Sequence, residues 1–271
     1  MASSESRAAL GATGIEVSRL GIGGHTFLSR YGGMDRAAQG EIRRIVETAV
    51  AEGITLFDVT WDEERRVFGA LVRELGIRQQ ITLTCWMQRK LTQGAAEVEA
   101  EAQRALTLLG LEQVDVLYLD WTATAGQLEA LARLRERGLA RRIGILGTKT
   151  AVAADLAEVD VVLVNHNWYL REKEPAIASL AARSPRLGII SLEPLGRGRF
   201  ARDGTTPGVD LAAAALKYAI AFTPAHAVLV AVRRLSQLEQ NIRIWKGDWR
   251  LDASEEKALA AGQGYRMPAP E

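Results

Sequence analysis

Three observations predict a (β/α)8 barrel: eight short apolar runs along the chain, helical spacing between most of them, and no linker dividing the 271 residues into halves. A doubly wound open sheet shares the strand and helix alternation and is the alternative architecture. The length suits one large domain over residues 1–271, with a flexible start over 1–9.

The elements follow in order. LGATGIEV reads as a short hairpin turning at Ala12-Thr13-Gly14, placed to plug the barrel floor. Strands are expected at Leu20–Gly23, Ile54–Phe57, Ile81–Cys85, Val114–Leu119, Ile143–Leu146, Val161–Val164, Ile189–Leu192 and Val228–Val232. Ile42, Ile45, Val46, Ala49 and Val50 recur at helical spacing, as do Val67, Phe68, Leu71, Val72 and Leu75. Gly53 and Gly76 stand where those helices should stop. Further amphipathic stretches cover 95–109, 125–137, 150–158, 173–183 and 209–221, and Asp252-Ala-Ser-Glu255 has the form of a capping box opening a last helix.

Composition excludes several classes of function. With 34 Lys+Arg against 33 Asp+Glu the net charge is +1, so no footprint for nucleic acid or an anionic membrane is expected. A lone cysteine, Cys85, rules out an internal disulfide framework and any multi-cysteine zinc site. There is no signal-peptide pattern and no run of ~20 apolar residues. The expectation is a cytoplasmic protein acting on a small molecule.

In such a barrel the chemistry lies on the loops at the strands' C-terminal ends. That rule selects His25, Asp58, Cys85-Trp86, Asp120-Trp121, Leu146-Gly147, Asn165-His166, Glu193 and Arg233. His25 and His166 lack ligand spacing such as H-x-x-x-H, so no metal site is predicted. Cys85, inside an apolar run, is expected to be buried and inert.

LGATGIEVSRLGIGG, GITLFDVT, VDVLYLDW, GIISLEPLGRGRF and RRLSQLEQN, in that order, resemble the aldo-keto reductase family across nearly the whole chain. The resemblance implies a barrel that binds NADPH and an Asp, Tyr, Lys, His tetrad delivering hydride and a proton to a carbonyl. Asp58 matches the aspartate. The tyrosine should fall in Trp61-Asp62-Glu63-Glu64, where there is none; the lysine is replaced by Trp86, with Lys90 too far along; the histidine is replaced by Asp120. Leu146-Gly147 stands where the family binds the carboxamide with Ser-Asn, Leu192 where an aromatic stacks on the nicotinamide, and Glu193 where a serine meets the pyrophosphate. Asn165 would stand in for the glutamine of the sixth strand. Gly196 and Gly198 can turn backbone amides to an anion. Arg233, Gln237 and Asn241 remain as adenosine contacts.

These departures set the functional expectation. Asp58 without its lysine and with Asp120 nearby would form a pair sharing a proton, suited to acid and base steps. Asp120 could instead turn outward to cap a loop amide or meet an arginine. Trp61, Trp86, Trp121 and Trp168, with His25, Asn165 and His166, would wall an aromatic pocket for a flat, apolar or cationic substrate. Asp58, Asp120 and Glu193 are therefore the expected catalytic groups of a barrel that has abandoned hydride transfer for lyase, cyclase, isomerase or hydrolase chemistry without a cofactor. Two alternatives stay open: an NADPH-dependent oxidoreductase of a carbonyl or imine, its proton donor moved to Tyr31, Tyr169 or a carboxylate, and a non-catalytic nucleotide-sensing protein.

Overall fold

The computed structural model describes residues 6–31, 34–88, 92–120, 122–147, 158–202 and 208–261. Eight parallel strands close into a barrel in the spatial order β10-β11-β12-β3-β6-β7-β8-β9. They are β3 (Leu20–Ile22), β6 (Leu56–Val59), β7 (Thr82–Trp86), β8 (Val114–Asp120), β9 (Ala140–Leu146), β10 (Val161–Asn165), β11 (Gly188–Leu192) and β12 (Ala227–Val230). The expected hairpin is present as β1 (Arg7–Ala9) and β2 (Glu16–Ser18), so residues 7–9 are paired strand and not a flexible start. Leu10, Ile15 and Val17 at its turn join the barrel's inner cluster and close the floor. A separate two-residue pair, β4 (Arg30–Tyr31) and β5 (Met34–Asp35), follows the first barrel strand in the chain.

The outer layer holds α1 (Gln39–Ala51), α2 (Asp62–Leu75), α3 (Ala95–Leu109), α4 (Ala125–Glu136), α5 (Glu174–Arg183), α6 (Arg199–Arg202), α7 (Leu211–Ala221), α8 (Leu235–Lys246) and α9 (Ala253–Ala261). Each long helix buries the stripe its periodicity marks; α1 buries Ile42, Ile45, Val46 and Ala49. Gly76 stops α2 with φ 64°, a conformation glycine adopts without steric cost. Before α9, Asp252 accepts from the amides of Ser254 and Glu255, and Glu255 reaches back to the amide of Asp252, as the capping box requires. The helix expected at 150–158 lies outside the described residues except at Glu158. Among the described residues no helix is long and apolar enough to cross a membrane.

Each barrel strand is offset from expectation by one to three residues at an end, and the offsets of β6 and β8 place the site. The second barrel strand begins at Leu56 because Thr55 is tied to the hairpin by reciprocal bonds with Ser18, each 2.9 Å. β6 therefore runs on through Asp58, and β8 runs on through Asp120. Side chains alternate across a strand. Leu56, Val116 and Tyr118 belong to the inner cluster, so Asp58 and Asp120 share the inward parity near the C-terminal mouth. Phe68 of α2 packs between Phe27 at 4.8 Å and Phe57 at 5.0 Å, fixing α2 and the 3-10 turn Gly24–Phe27 against β6. Truncating Phe68 to alanine should cost about 3–5 kcal/mol.

Candidate active site

Asp58 lies beside Thr84 in the β6–β7 register and is 7% exposed. Two hydroxyls donate to one oxygen, Oδ1: Thr84 Oγ1 at 2.5 Å and Tyr118 Oη at 3.0 Å. Both donors are neutral. They hold the carboxyl in place but do not offset the loss of water around a charge. Burial therefore dominates and pushes the Asp58 pKa up to about 7, with Glu64 raising it further and the bonds from Thr84 and Tyr118 acting the other way. With both hydroxyls on Oδ1, the proton of the neutral acid belongs on Oδ2.

This changes the partner of Asp58. The expectation of an Asp58–Asp120 pair is replaced by a carboxyl clasped between Thr84 and Tyr118, with Glu64 as the acidic neighbour that raises it. Asp120 ends β8, half-buried, paired in register with Leu146 of β9. Tyr118 is the group that sequence reasoning missed. It stood in VDVLYLDW with the same parity as Asp120, but the search for a phenol considered only loops.

Glu64 is wholly buried at the start of α2. Its Oε2 accepts from the amides of Thr60 at 2.6 Å and Trp61 at 3.2 Å, satisfying donors that the helix leaves open. Its Oε1 meets His25 Nδ1 at 2.7 Å. A side chain at Gly24 would overlap this carboxylate, so the close approach requires glycine. His25 thus closes one edge of the mouth, one-third exposed and anchored from below.

The tryptophans separate into different environments. Trp86, in the lysine's place, turns inward and lies parallel to Tyr118 at 6.4 Å, roofing the aromatic that touches Asp58. Among the described residues its buried indole Nε1 has no hydrogen-bond partner. Trp61 is 45% exposed at the rim. Trp121 lies outside the described residues, as does the side chain of Tyr31. Asn165 pairs in register with Leu192 and shares the inward parity of Leu163. Leu146 and Leu192 pack on the same inner cluster.

His166 and Trp168 are corrected from pocket to packing residues. His166 faces the helices, wholly buried, with Nε2 at 2.8 Å from Glu174 and its ring 4.2 Å from that of Phe222. Trp168 meets Tyr218 edge-on at 4.9 Å under the Arg171 guanidinium. His166 follows inward Asn165 and so points to the other side, and Trp168 opens the 3-10 turn Trp168–Lys173, which carries the chain out over the helices. Tyr169 stacks on Phe200 at 4.3 Å. Cys85 is buried, and burial pushes its thiol up to about 11, as an inert cysteine requires.

Glu193 does not face the mouth as an uncompensated charge. Arg197 Nε reaches its Oε1 at 3.0 Å, and Asn167 Nδ2 donates to its carbonyl at 3.0 Å, pinning a backbone with φ 59°. Gly196, Arg197 and Gly198 then take φ of 54°, 58° and 78° in succession. At Gly196 a side chain would also press the Phe200 ring at 3.2 Å. Of the residues carried over for adenosine, Arg233 donates to the carbonyls of His25 at 2.6 Å and Ser29 at 3.3 Å, and Gln237 accepts from the amides of Arg233 and Arg234. These two are occupied in holding the loop ahead of α8, while Asn241 lies buried within that helix. Arg234 beside them is exposed.

The Aldo/keto reductase family profile matches residues 19–208. The chain is 23% identical over 278 residues to L-galactose dehydrogenase of Arabidopsis thaliana, spanning 86% of each protein. It is 26% identical over 195 residues to aldo-keto reductase YhdN of Bacillus subtilis, covering 62% of this chain and 56% of that one. Among solved structures, the holo form of an aldo-keto reductase from Bacillus halodurans superposes with a TM-score of 0.74 at 17% identity, over 94% of this chain and 95% of the other. A Klebsiella pneumoniae aldo-keto reductase in complex with NADPH gives 0.73 at 17% identity, over 94% of each chain. These relatives carry dehydrogenase and reductase names, and that corrects the expectation that hydride transfer had given way to lyase, cyclase, isomerase or hydrolase chemistry without a cofactor. With the profile spanning most of the barrel, the chain belongs to the aldo/keto reductase family.

Proposed function

We propose that the protein is an NADP(H)-dependent oxidoreductase that interconverts a small carbonyl compound and its alcohol, with Asp58 handling the proton. The observation that carries this reading is a buried carboxyl at the barrel mouth whose pKa lies at about 7. A proton donor works best with a pKa near the working pH, and burial moves this carboxyl into the neutral range. It replaces the missing tyrosine of the family tetrad with a group already in the mouth. The names of the relatives support redox chemistry, and the NADPH-bound relative from Klebsiella pneumoniae supports the choice of cofactor.

The residues present fit a dinucleotide at its phosphates. The left-handed run Gly196-Arg197-Gly198 is a turn in which backbone amides can meet an anion, and Arg197 neutralises the Glu193 carboxylate that would otherwise repel it. Arg234, exposed next to the adenosine stretch, places Nη1 on the carbonyls of Asp35 at 3.1 Å and Arg233 at 2.7 Å, which holds the rest of its guanidinium at the surface for an anion. Asn165 supplies a polar group between the apolar Leu146 and Leu192, and these two walls exclude water from the reacting face. When bound, NADPH supplies the hydride. In reduction, neutral Asp58 gives its Oδ2 proton to the carbonyl oxygen; the resulting carboxylate is held by Thr84 and Tyr118 until solvent reprotonates it. In alcohol oxidation the carboxylate takes that proton back.

The test is a pH profile of NADPH consumption over a panel of aldehydes and ketones. Reduction should fall as pH rises through about 7, and alcohol oxidation should rise over the same range. Absence of both saturable NADPH binding and NADPH consumption would overturn the assignment.

A further inference from the structure

Resting on the oxidoreductase reading, we propose that the rim cavity beside the mouth binds the non-reacting end of the substrate and selects a flat ring bearing an anionic group. The cavity holds about 410 Å3 and is lined by Leu28, Thr60, Trp61, Arg66 and Gln88 together with the acidic start of α2. Thr60 follows directly on β6, two residues beyond Asp58, so the cavity adjoins the strand end that carries the proton.

The ring is selected by Trp61. It is the large hydrophobic left exposed among the described residues, at 45%, while Trp245 and Trp168 are 2% and 8% exposed. An indole held open on a cavity wall next to Leu28 is a stacking surface for a planar, apolar group.

The charge is selected by elimination among the charged side chains that line the cavity. Glu63 accepts from the Ser29 amide at 2.8 Å and lies 3.4 Å from Arg36. Asp62 is held by Arg104, and Arg65 by Glu101 at 2.5 Å and the Trp86 carbonyl at 2.9 Å. Arg66 is different. Its side chain is 60% exposed, and it reaches Asp62 at 3.9 Å through the oxygen that Arg104 already occupies. Its guanidinium retains its donors for a ligand, and a planar fork of donors matches a carboxylate.

Benzoate is the binding probe and the pair benzaldehyde and 4-carboxybenzaldehyde the kinetic one. Benzoate should quench tryptophan fluorescence saturably. Acetate, which lacks the ring, and benzyl alcohol, which lacks the charge, should bind more weakly. Arg66→Gln should weaken benzoate roughly fivefold to tenfold, Trp61→Ala should weaken it comparably, and Trp61→Phe should retain binding and lose the quench. With NADPH, the carboxylated aldehyde should have the higher kcat/KM, and Arg66→Gln should bring the ratio of the two towards one. No benzoate binding, a ratio unmoved by Arg66→Gln, or preferential binding of benzylamine would overturn the proposal. If benzoate binds through Trp61 and Arg66 while NADPH neither binds saturably nor is consumed, the cavity assignment stands and the oxidoreductase reading falls.

Discussion

Two clusters in this barrel pair a carboxyl with a tyrosine hydroxyl, one buried inside the strands and one half-buried outside them. Inside, Tyr118 and Thr84 donate to Asp58. Outside, Tyr218 of α7 donates to Glu174 at the start of α5, and His166 completes the group at 2.8 Å. The partners and the water differ. Asp58 has only neutral donors and 7% exposure, and burial drives it to about 7. The Glu174 side chain keeps 29% exposure and has an imidazole beside it, whose own pKa burial lowers, so the neutral ring presents its Nε2 proton to the carboxylate. The lesson is that a tyrosine–carboxyl contact does not by itself create a proton donor. Near-complete burial does, and it is the inner cluster that lies at the barrel mouth.

The largest expected effect comes from removing the inner acid. Asp58→Asn keeps an acceptor for Thr84 and Tyr118 and should lower carbonyl reduction by roughly 10²–10⁴ with the fold retained, measured by NADPH consumption and thermal melting. A variant with undiminished turnover would make the two clusters equivalent packing devices. Next is the pH dependence of stability. The folded pKa of Asp58 is raised above its unfolded value of 3.8, so the folded state binds the proton more tightly. This contribution is fully present below pH 4 and is lost as pH rises through about 7. Denaturant titrations should show the loss, on the order of a few kcal/mol, and Asp58→Asn should flatten it.

The outer cluster should behave oppositely. Tyr218→Phe should cost about 1 kcal/mol of stability and leave the pH–rate profile where it was; a displaced profile would connect the outer cluster to the chemistry. Smallest is Tyr118→Phe. Its hydrogen bond favours the charged form of Asp58, so its loss should move the alkaline limb of reduction upward by a fraction of a pH unit while the ring stays parallel to Trp86.

Much of the site was legible along the chain, within limits that strand geometry explains. The period of two in VDVLYLDW puts Tyr118 and Asp120 on one side, yet nothing local says which of them meets Asp58. The β6–β7 and β7–β8 registers together decide it, setting Asp58 beside Thr84 and Tyr118 within reach of its carboxyl. His166 and Trp168 follow the sixth barrel strand closely in sequence but leave the mouth, because neighbours along a strand alternate sides and the 3-10 turn after Asn167 redirects the chain. Glu193 looked repulsive to phosphate because its compensating cation, Arg197, approaches only after three left-handed residues fold the loop back. Arg233 and Gln237 matched a cofactor stretch in type, but their polar atoms are engaged in holding the backbone.

By itself the sequence determined the barrel, the hairpin floor, the helix stops and the motifs of the family, since periodicity, glycine placement and capping act over a few residues. Tertiary structure decided the burial of Asp58, the orientation of the described aromatics and the exposure of Arg66 at the rim. Those depend on which distant groups exclude water from a given atom, and closure of the barrel sets that.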